Sequence, residues 1–373
     1  MQKDKTAWIS FLGNALLDSR IVNLIISLKE SGFNTRVTSF DMYTKDFKDV
    51  KGDVTILKLE RKKPSSLFYL NFARMLCSEL KKSKADIYFA EDIYTLPFVA
   101  FYAKMKKGKL IYNSRELYAF LGGHSKKKYL SLLLKTLERI IIKKCNLVLT
   151  TGEMDTQFLE KMYSISNVVT IRNIPAYHRP EKVVDIRKEL NISDDKIILL
   201  YQGVLLKGRG IPKIFKAVSQ IPNTVLLILG DGEQRDNFKN LASSLGITNR
   251  VYFYGMVQHD ELVNYTAAAD IGLALIENIS MSYYYALPNK LFEYIMAGLP
   301  VISCNLPQMK NIVDNYKVGV CVDAENGDEI IRAISEMIKD KNSLSQYRQN
   351  CFEAAKELNW QKEFDKLKKY LLS

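Results

Sequence analysis

Long apolar runs are absent from this 373-residue chain. None reaches the ~18 residues that a membrane-spanning helix needs, which excludes an α-helical transmembrane protein. Histidine is scarce, at three, and the five cysteines (Cys77, Cys145, Cys304, Cys321, Cys351) show no CxxC spacing. That excludes a disulfide scaffold and a zinc or iron–sulfur framework, so the expected metal set is none. The thiols read as reduced and cytosolic, packed as small apolar side chains. No secretory signal is evident: Met1-Gln2-Lys3-Asp4-Lys5 passes directly into an apolar, strand-like run. Short-period repeats and low-complexity tracts are also missing.

Acidic residues are short in one half only. Residues 1–180 hold 31 Lys and Arg against 17 Asp and Glu, whereas residues 181–373 hold 23 against 24. The excess lies in Arg61-Lys62-Lys63, Lys81-Lys82-Lys84, Lys104-Lys106-Lys107-Lys109, Lys126-Lys127-Lys128 and Lys143-Lys144. A one-sided charge calls for a polyanionic surface partner. Nucleic acid is disfavoured, because few aromatics interleave with the clusters and no finger, RRM or helix-turn-helix pattern occurs. An anionic membrane face fits better, at about 1 kcal/mol per near-surface cation. The plain alternative is a solubilising Lys-rich surface. Between Lys126 and Cys145, helical spacing puts Leu130, Leu133, Leu134, Leu137, Ile140 and Ile141 on one face. Lys128, Lys135, Arg139 and Lys143 fall opposite. Such a helix either packs on a core with a charged solvent side or lies on a membrane. The membrane reading requires exposed apolar residues near Tyr129 or Phe120-Leu121.

With 47% hydrophobic and 25% charged residues, the composition is that of a globular protein, and the length suits two domains. Strand-like and helix-like segments alternate throughout, the pattern of parallel α/β sheets. Strands are expected at 7–12, 35–40, 54–59, 86–90, 109–112, 147–150 and 168–171, then at 197–201, 224–229, 251–254, 271–275, 301–303 and 318–322. Helices are expected near 18–31, 66–82, 96–107, 126–144 and 153–163, then near 211–220, 234–245, 259–268, 289–297, 308–314 and 327–340. The polar, Pro-broken stretch Ala176 to Lys182 reads as a linker. The expected domains are a basic 1–178, a second doubly wound domain 179–355, and an amphipathic tail helix 356–373 packing back on the first. A ligand is expected in the cleft at the carboxyl ends of the strands.

The turns of the second half carry the chemistry. Gly203 closes a buried strand, and Arg209 opens the next helix, placed to clamp a diphosphate by two hydrogen bonds; Lys207 is a second cation there. Gly230-Asp231-Gly232 follows another strand, and Gly255-Met256-Val257 a third, where it would flank a base. Pro288-Asn289-Lys290-Leu291-Phe292-Glu293 then starts a helix, whose first turn gathers unpaired N–H groups. Lys290 adds a full positive charge, and Glu293 lies on the same side three residues on, where a carboxylate accepts from ribose hydroxyls. Each turn alone is also ordinary loop chemistry. Their coincidence on one sheet edge points to a nucleotide, and to a sugar nucleotide over a dinucleotide.

In order and spacing, Gly203…Arg209-Gly210, Gly230-Asp231-Gly232, Gly255-Met256-Val257 and Pro288-Asn289-Lys290…Glu293…Gly298-Leu299-Pro300-Val301-Ile302 resemble the donor domain of glycosyltransferase family 4, a retaining family with the GT-B fold. Gly13-Asn14, Asp18-Ser19-Arg20-Ile21, Tyr112 to Tyr118, Leu137-Glu138-Arg139 and Arg172-Asn173-Ile174-Pro175 extend the resemblance over nearly the whole chain. It implies two Rossmann-like domains facing across a cleft. It implies that Arg209 and Lys290 hold the donor diphosphate and neutralise the leaving group, that Glu293 binds the ribose, and that Gly13 lets a first-domain loop approach the phosphates. The implied donor is a UDP-sugar, used without metal or further cofactor. The implied acceptor is a saccharide or lipid-linked saccharide in envelope polysaccharide assembly. The implied place is the cytoplasm, peripheral to the inner membrane face, with no nucleic acid as partner. Glu116, with Asp92 and Glu91 near first-domain strand ends, is the candidate for assisting loss of the acceptor proton. Three positions depart from the family pattern: Tyr285 and Arg115 stand where it often has Glu and His, and Val204 stands where it often has Arg. The sugar-contacting half of the site is therefore altered. A sugar-nucleotide epimerase of similar fold, and a catalytically impaired partner subunit that binds nucleotide sugar, are the other readings.

Overall fold

The computed structural model describes residues 5–42, 53–60, 65–120 and 128–372. Met1 to Asp4, Arg61-Lys62-Lys63, Leu121, Lys126 and Lys127 lie outside the described residues, as do the side chains of Lys128 and Leu130. The chain forms two compact units, Met1–Arg172 with Glu363–Ser373, and Asn173–Lys362. No described helix is long and apolar enough to cross a membrane.

The first unit runs β1 (Thr6–Phe11), α1 (Ser19–Glu30), β2 (Asn34–Asp41), β3 (Val54–Lys58), α2 (Ser65–Lys82), β4 (Ile87–Ala90), α3 (Leu96–Lys106), β5 (Lys109–Ser114), α4 (Lys128–Ile142), β6 (Leu147–Thr150), α5 (Glu153–Tyr163) and β7 (Val168–Thr170). Its strands pair in parallel in the order β3-β2-β1-β4-β5-β6-β7. Every residue of β4 and β6 is buried, because helices cover both faces of a parallel sheet.

The second unit runs α6 (Ile186–Glu189), β8 (Ile197–Gln202), α7 (Ile211–Gln220), β9 (Thr224–Leu229), α8 (Arg235–Ser244), β10 (Val251–Gly255), α9 (Leu262–Thr266), β11 (Ile271–Ala274), α10 (Met281–Tyr284), α11 (Asn289–Met296), β12 (Val301–Cys304), α12 (Pro307–Tyr316), β13 (Gly319–Val322), α13 (Gly327–Lys339) and α14 (Lys341–Ala355). A last helix, α15 (Trp360–Leu372), contains the boundary between the units at Lys362/Glu363. The sheet order is β10-β9-β8-β11-β12-β13, all parallel. Winding reverses between β8 and β11, as it does between β1 and β4 in the first sheet. Connections on the two sides of such a reversal leave to opposite faces, so their loops part and a crevice opens at the strand ends.

The short helices α6 and α10 were not expected, and two longer elements also depart from the sequence reading. The unexpected helix α14 has a weak apolar pattern because it packs through small residues: Cys351, Ala354 and Ala355 are buried. In α4 the expected apolar face is split. Leu134 and Ile141 are buried, but Leu133 and Ile140 are exposed. The buried stripe includes Glu138, whose carboxylate accepts from Tyr112 Oη at 2.7 Å and from Tyr163 Oη at 2.6 Å. With Glu138 held inward, the positions one residue before Leu134 and Ile141 turn about 100° away from the sheet.

Candidate functional site

The strand-end turns of the second unit are stitched to one another by their backbones. Gly203 N–H donates to Leu229 O at 2.9 Å, Gly230 N–H to Gly255 O at 2.7 Å, and Leu205 N–H to Asp231 O at 3.0 Å. Gly203 and Gly230 adopt φ of 124° and 142°, a region that L side chains rarely enter. A Cβ on Gly230 would lie 2.1 Å from Gly203 O. Gly230 is thus required by the neighbouring turn. Gly230→Ala is expected to lower unfolding free energy by about 1–3 kcal/mol. Urea denaturation checks this, and an unchanged midpoint would contradict it.

The close packing brings Lys290 to the end of β8. Lys290 is the second residue of α11, whose N-cap Pro288 is extended and makes no side-chain capping bond. Its side chain folds inward and is only 7% exposed. The ammonium lies 3.7 Å from the Tyr201 ring centroid, and only 3.6 Å from where a Cβ on Gly203 would stand. Among the described residues Nζ has no hydrogen-bond partner. Burial first, and then the Arg209 charge, lower its pKa to about 7, against a partial pull upward from Glu293 and Cys304. Arg209 stacks on the Tyr283 ring at 5.1 Å and also draws down the pKa of Tyr201, which burial pushes up to about 12. Two cations thus act on one tyrosine and on each other. A buried ammonium without a partner beside a guanidinium is costly unless an anion joins them.

One turn along α11, Glu293 accepts from Gln202 Nε2. Thr266 Oγ1 donates to Gln202 Oε1 at 2.7 Å, and Gln202 N–H donates to Tyr294 Oη at 3.0 Å. The Gln202 side-chain amide is therefore oriented from two elements, α9 and α11, and its backbone N–H is held by α11 as well. Burial raises the Glu293 pKa, and the His259 charge, the Gln202 hydrogen bond and Lys290 counter it. Glu293 lines a small cavity with Pro175, His178, His259, Leu262 and Thr266. The sequence reading had not named Gln202, Thr266 or His259. Gln202 did carry a signal, as the polar residue that ends an otherwise apolar buried strand.

The remaining candidates are spread more widely. Lys207 is exposed, and Asn289 is half-buried. Met256 is 82% exposed, while Val257 packs against the second unit's core. Leu291 is fully buried in that core, and its N–H donates to Pro288 O at 3.2 Å. Gly13 and Glu116 belong to the first unit. Gly13 O accepts from Phe40 N–H at 2.9 Å, and a Cβ there would meet the Phe11 ring at 2.5 Å. Glu116 is exposed just beyond β5. Asp92 binds the Leu12 and Thr95 amides at 2.8 and 2.7 Å, tying β1's turn to the start of α3. Glu91 is wholly buried and accepts from Asn113 Nδ2 at 2.7 Å; burial raises its pKa. Arg115 grips the α1 cap Asp18 at 2.9 and 2.7 Å and lies 5.0 Å from the Phe11 ring centroid. Arg115 is thus engaged inside its own unit.

Comparison with known proteins bears on the fold and on the second unit's family likeness. Residues 183–358 match the family model described as glycosyl transferases group 1. The lipopolysaccharide core biosynthesis glycosyltransferase LpsE of Rhizobium meliloti (strain 1021) is 30% identical over 175 residues, 47% of this chain and 49% of that protein. The O-antigen biosynthesis glycosyltransferase WclY of Escherichia coli is 28% identical over 165 residues, 44% of each chain. The chain spans about half the length of these curated relatives. Sucrose-phosphate synthase from Thermosynechococcus elongatus superposes with a TM-score of 0.79 at 16% identity, over 99% of both chains. HepE of Anabaena, solved with UDP and glucose, gives 0.74 at 14% identity, over 98% of this chain and 99% of that one. These likenesses establish the fold: two Rossmann-like units of the GT-B class. Over residues 183–358 the chain is similar to the glycosyl transferases group 1 family.

Proposed function

We propose that this protein is a retaining glycosyltransferase that moves a hexosyl or N-acetylhexosaminyl group from a UDP-sugar to a saccharide or lipid-linked saccharide. The observation that carries the reading is the buried Lys290 ammonium, without a hydrogen-bond partner among the described residues, at the head of α11 beside Arg209, with Glu293 one turn on. In the transfer, the C1–O bond to the diphosphate breaks and a bond from C1 to the acceptor oxygen forms on the same face. The acceptor proton passes to the departing phosphate oxygen, and Glu116 is the candidate for assisting its loss. Negative charge grows on that oxygen, and fixed cations aimed at it stabilise the transition state more than the ground state. Lys290 and Arg209 fill the role that a divalent metal fills elsewhere, so EDTA leaves the rate unchanged. The ribose hydroxyls would bind Glu293, whose partner Gln202 holds it in place. HepE, the neighbour solved with UDP and glucose, supports UDP as the first nucleotide to try.

The acceptor class is supported by LpsE and WclY, whose names refer to lipopolysaccharide core and O-antigen biosynthesis. A lipid-linked acceptor and the basic first half together suit work at an anionic membrane on its cytoplasmic face. The reading is tested by incubating the full chain with a panel of UDP-sugars, with and without saccharide acceptors, and following UDP release. Acceptor-dependent release is the expected result. An epimerised sugar formed without acceptor would contradict it. A second reading, a subunit that binds nucleotide without transferring sugar, is favoured by the Arg115–Asp18 ion pair at the family's His position. UDP binding with no turnover of any donor would select it.

A further inference from the structure

Helices α2, α3 and α4 lie side by side on one face of the first sheet, α2 against α3 and α3 against α4. Their outward sides are not what a solvent face requires. Tyr129, Leu132, Leu133 and Ile140 of α4 are 74%, 65%, 62% and 56% exposed. Beside them Leu70 of α2 and Phe101 and Met105 of α3 are also open. Scattered exposed apolar residues are ordinary, but three neighbouring helices presenting them in one layer mark an interaction surface.

The charges around this surface are nearly all positive. The three helices carry eight Lys and Arg against Glu79 and Glu138. Glu138 is buried beneath two tyrosine hydroxyls, and Glu79 is paired with Lys82 at 2.8 Å. Exposed Lys107 follows α3, and exposed Lys143 and Lys144 follow α4. A second copy of the chain is a poor occupant, since a two-fold contact would set these cations against themselves. A nucleic acid would leave the leucines without a partner. Apolar side chains set in a field of cations match the boundary between anionic headgroups and acyl chains.

We infer that the α2–α3–α4 face docks on an anionic phospholipid bilayer, with Tyr129, Leu132 and Leu133 entering the headgroup region and Arg139, Lys143 and Lys144 contacting lipid phosphates. This builds on the proposed lipid-linked acceptor only in placing the first unit where such a molecule lies. It names the face and the residues that hold the protein there.

The test uses the full chain and three variants, Leu132→Ser with Leu133→Ser, Arg139→Glu with Lys143→Glu, and Lys317→Glu as an exposed control on the second unit. Each is sedimented with vesicles of phosphatidylglycerol and phosphatidylcholine in equal parts, or of phosphatidylcholine alone. UDP binding is measured beside it. Wild type and the control are expected to bind the anionic vesicles and to be released as salt rises from about 0.1 to about 0.5 M. Both α4 double variants are expected to lose at least about tenfold in vesicle affinity with UDP binding unchanged. Wild-type affinity in both α4 variants, or equal binding to neutral vesicles, would overturn the inference. So would a dimer, seen by light scattering, that the leucine variant dissolves. Vesicle binding without UDP binding would instead overturn the donor reading and leave this one standing.

Discussion

Replacing Lys290 by Met is expected to lower kcat/KM for sugar transfer by about 10²- to 10³-fold, with Arg209→Ala close behind. Met keeps the volume and removes the charge, so the loss reports charge alone. The more telling half of the expectation concerns stability. In the free protein the Lys290 ammonium is buried without a hydrogen-bond partner among the described residues and is repelled by Arg209. Its removal should leave the unliganded protein as stable as wild type or more so, by up to a few kcal/mol near neutral pH. The sign follows from linkage. The folded pKa, about 7, is below the unfolded value of 10.5, so the unfolded chain holds more protons between them. Unfolding free energy therefore rises with pH across that window in wild type and not through this residue in Lys290→Met. Denaturation of both proteins at neutral and alkaline pH separates the cases. A variant that loses activity because it unfolds would show that Lys290 is a packing residue.

Binding UDP at about pH 8 is expected to draw close to one proton from solution, because UDP itself is fully ionised there. Above pH 7 the free protein holds Lys290 largely neutral. Within the site the Arg209 charge opposes protonation of Lys290, and the Glu293 carboxylate favours it more weakly. A diphosphate placed between Lys290 and Arg209 reverses that balance and restores the ammonium. Affinity should then fall by up to tenfold per pH unit above 7, until the pKa of the bound state is passed. Calorimetry in buffers of different ionisation enthalpy counts the proton directly. Lys290→Arg, whose guanidinium stays charged, should bind UDP with no proton uptake and a flat pH profile. Wild-type binding that is flat from pH 7 to 9 and releases or takes up nothing would contradict the coupling.

Much of this was readable from residue order. The parallel sheets follow from apolar runs such as 224–229, which are buried at every position, and from their alternation with helical spacing. Arg209, Lys290 and Glu293 stand out in the sequence because each sits at a fixed offset from a turn glycine or proline, a local relation. What escaped depends on distance in sequence. Gln202 meets Thr266 and Glu293 across 64 and 91 residues, and no local pattern announces such a contact. Arg115 reaches Asp18 across 97 residues, which turns an apparent departure in the site into an ion pair on a helix cap. Gly230 also meets the carbonyl of Gly203 across 27 residues, a constraint beside its place in a turn that no local pattern announces. The α4 helix misled through its composition: six apolar residues suggested one face, and a buried Glu138 set the actual rotation.

The most direct measurement is a pair of UDP titrations by calorimetry on the full chain, wild type beside Lys290→Met, at pH 7. Wild type should bind one UDP per chain, and the variant should bind at least about a hundredfold more weakly, the loss of a charge-assisted contact to phosphate at a desolvated site. Equal affinity in the two proteins, or no binding to wild type, would contradict the assignment of the end of β8 and the head of α11 as a diphosphate site.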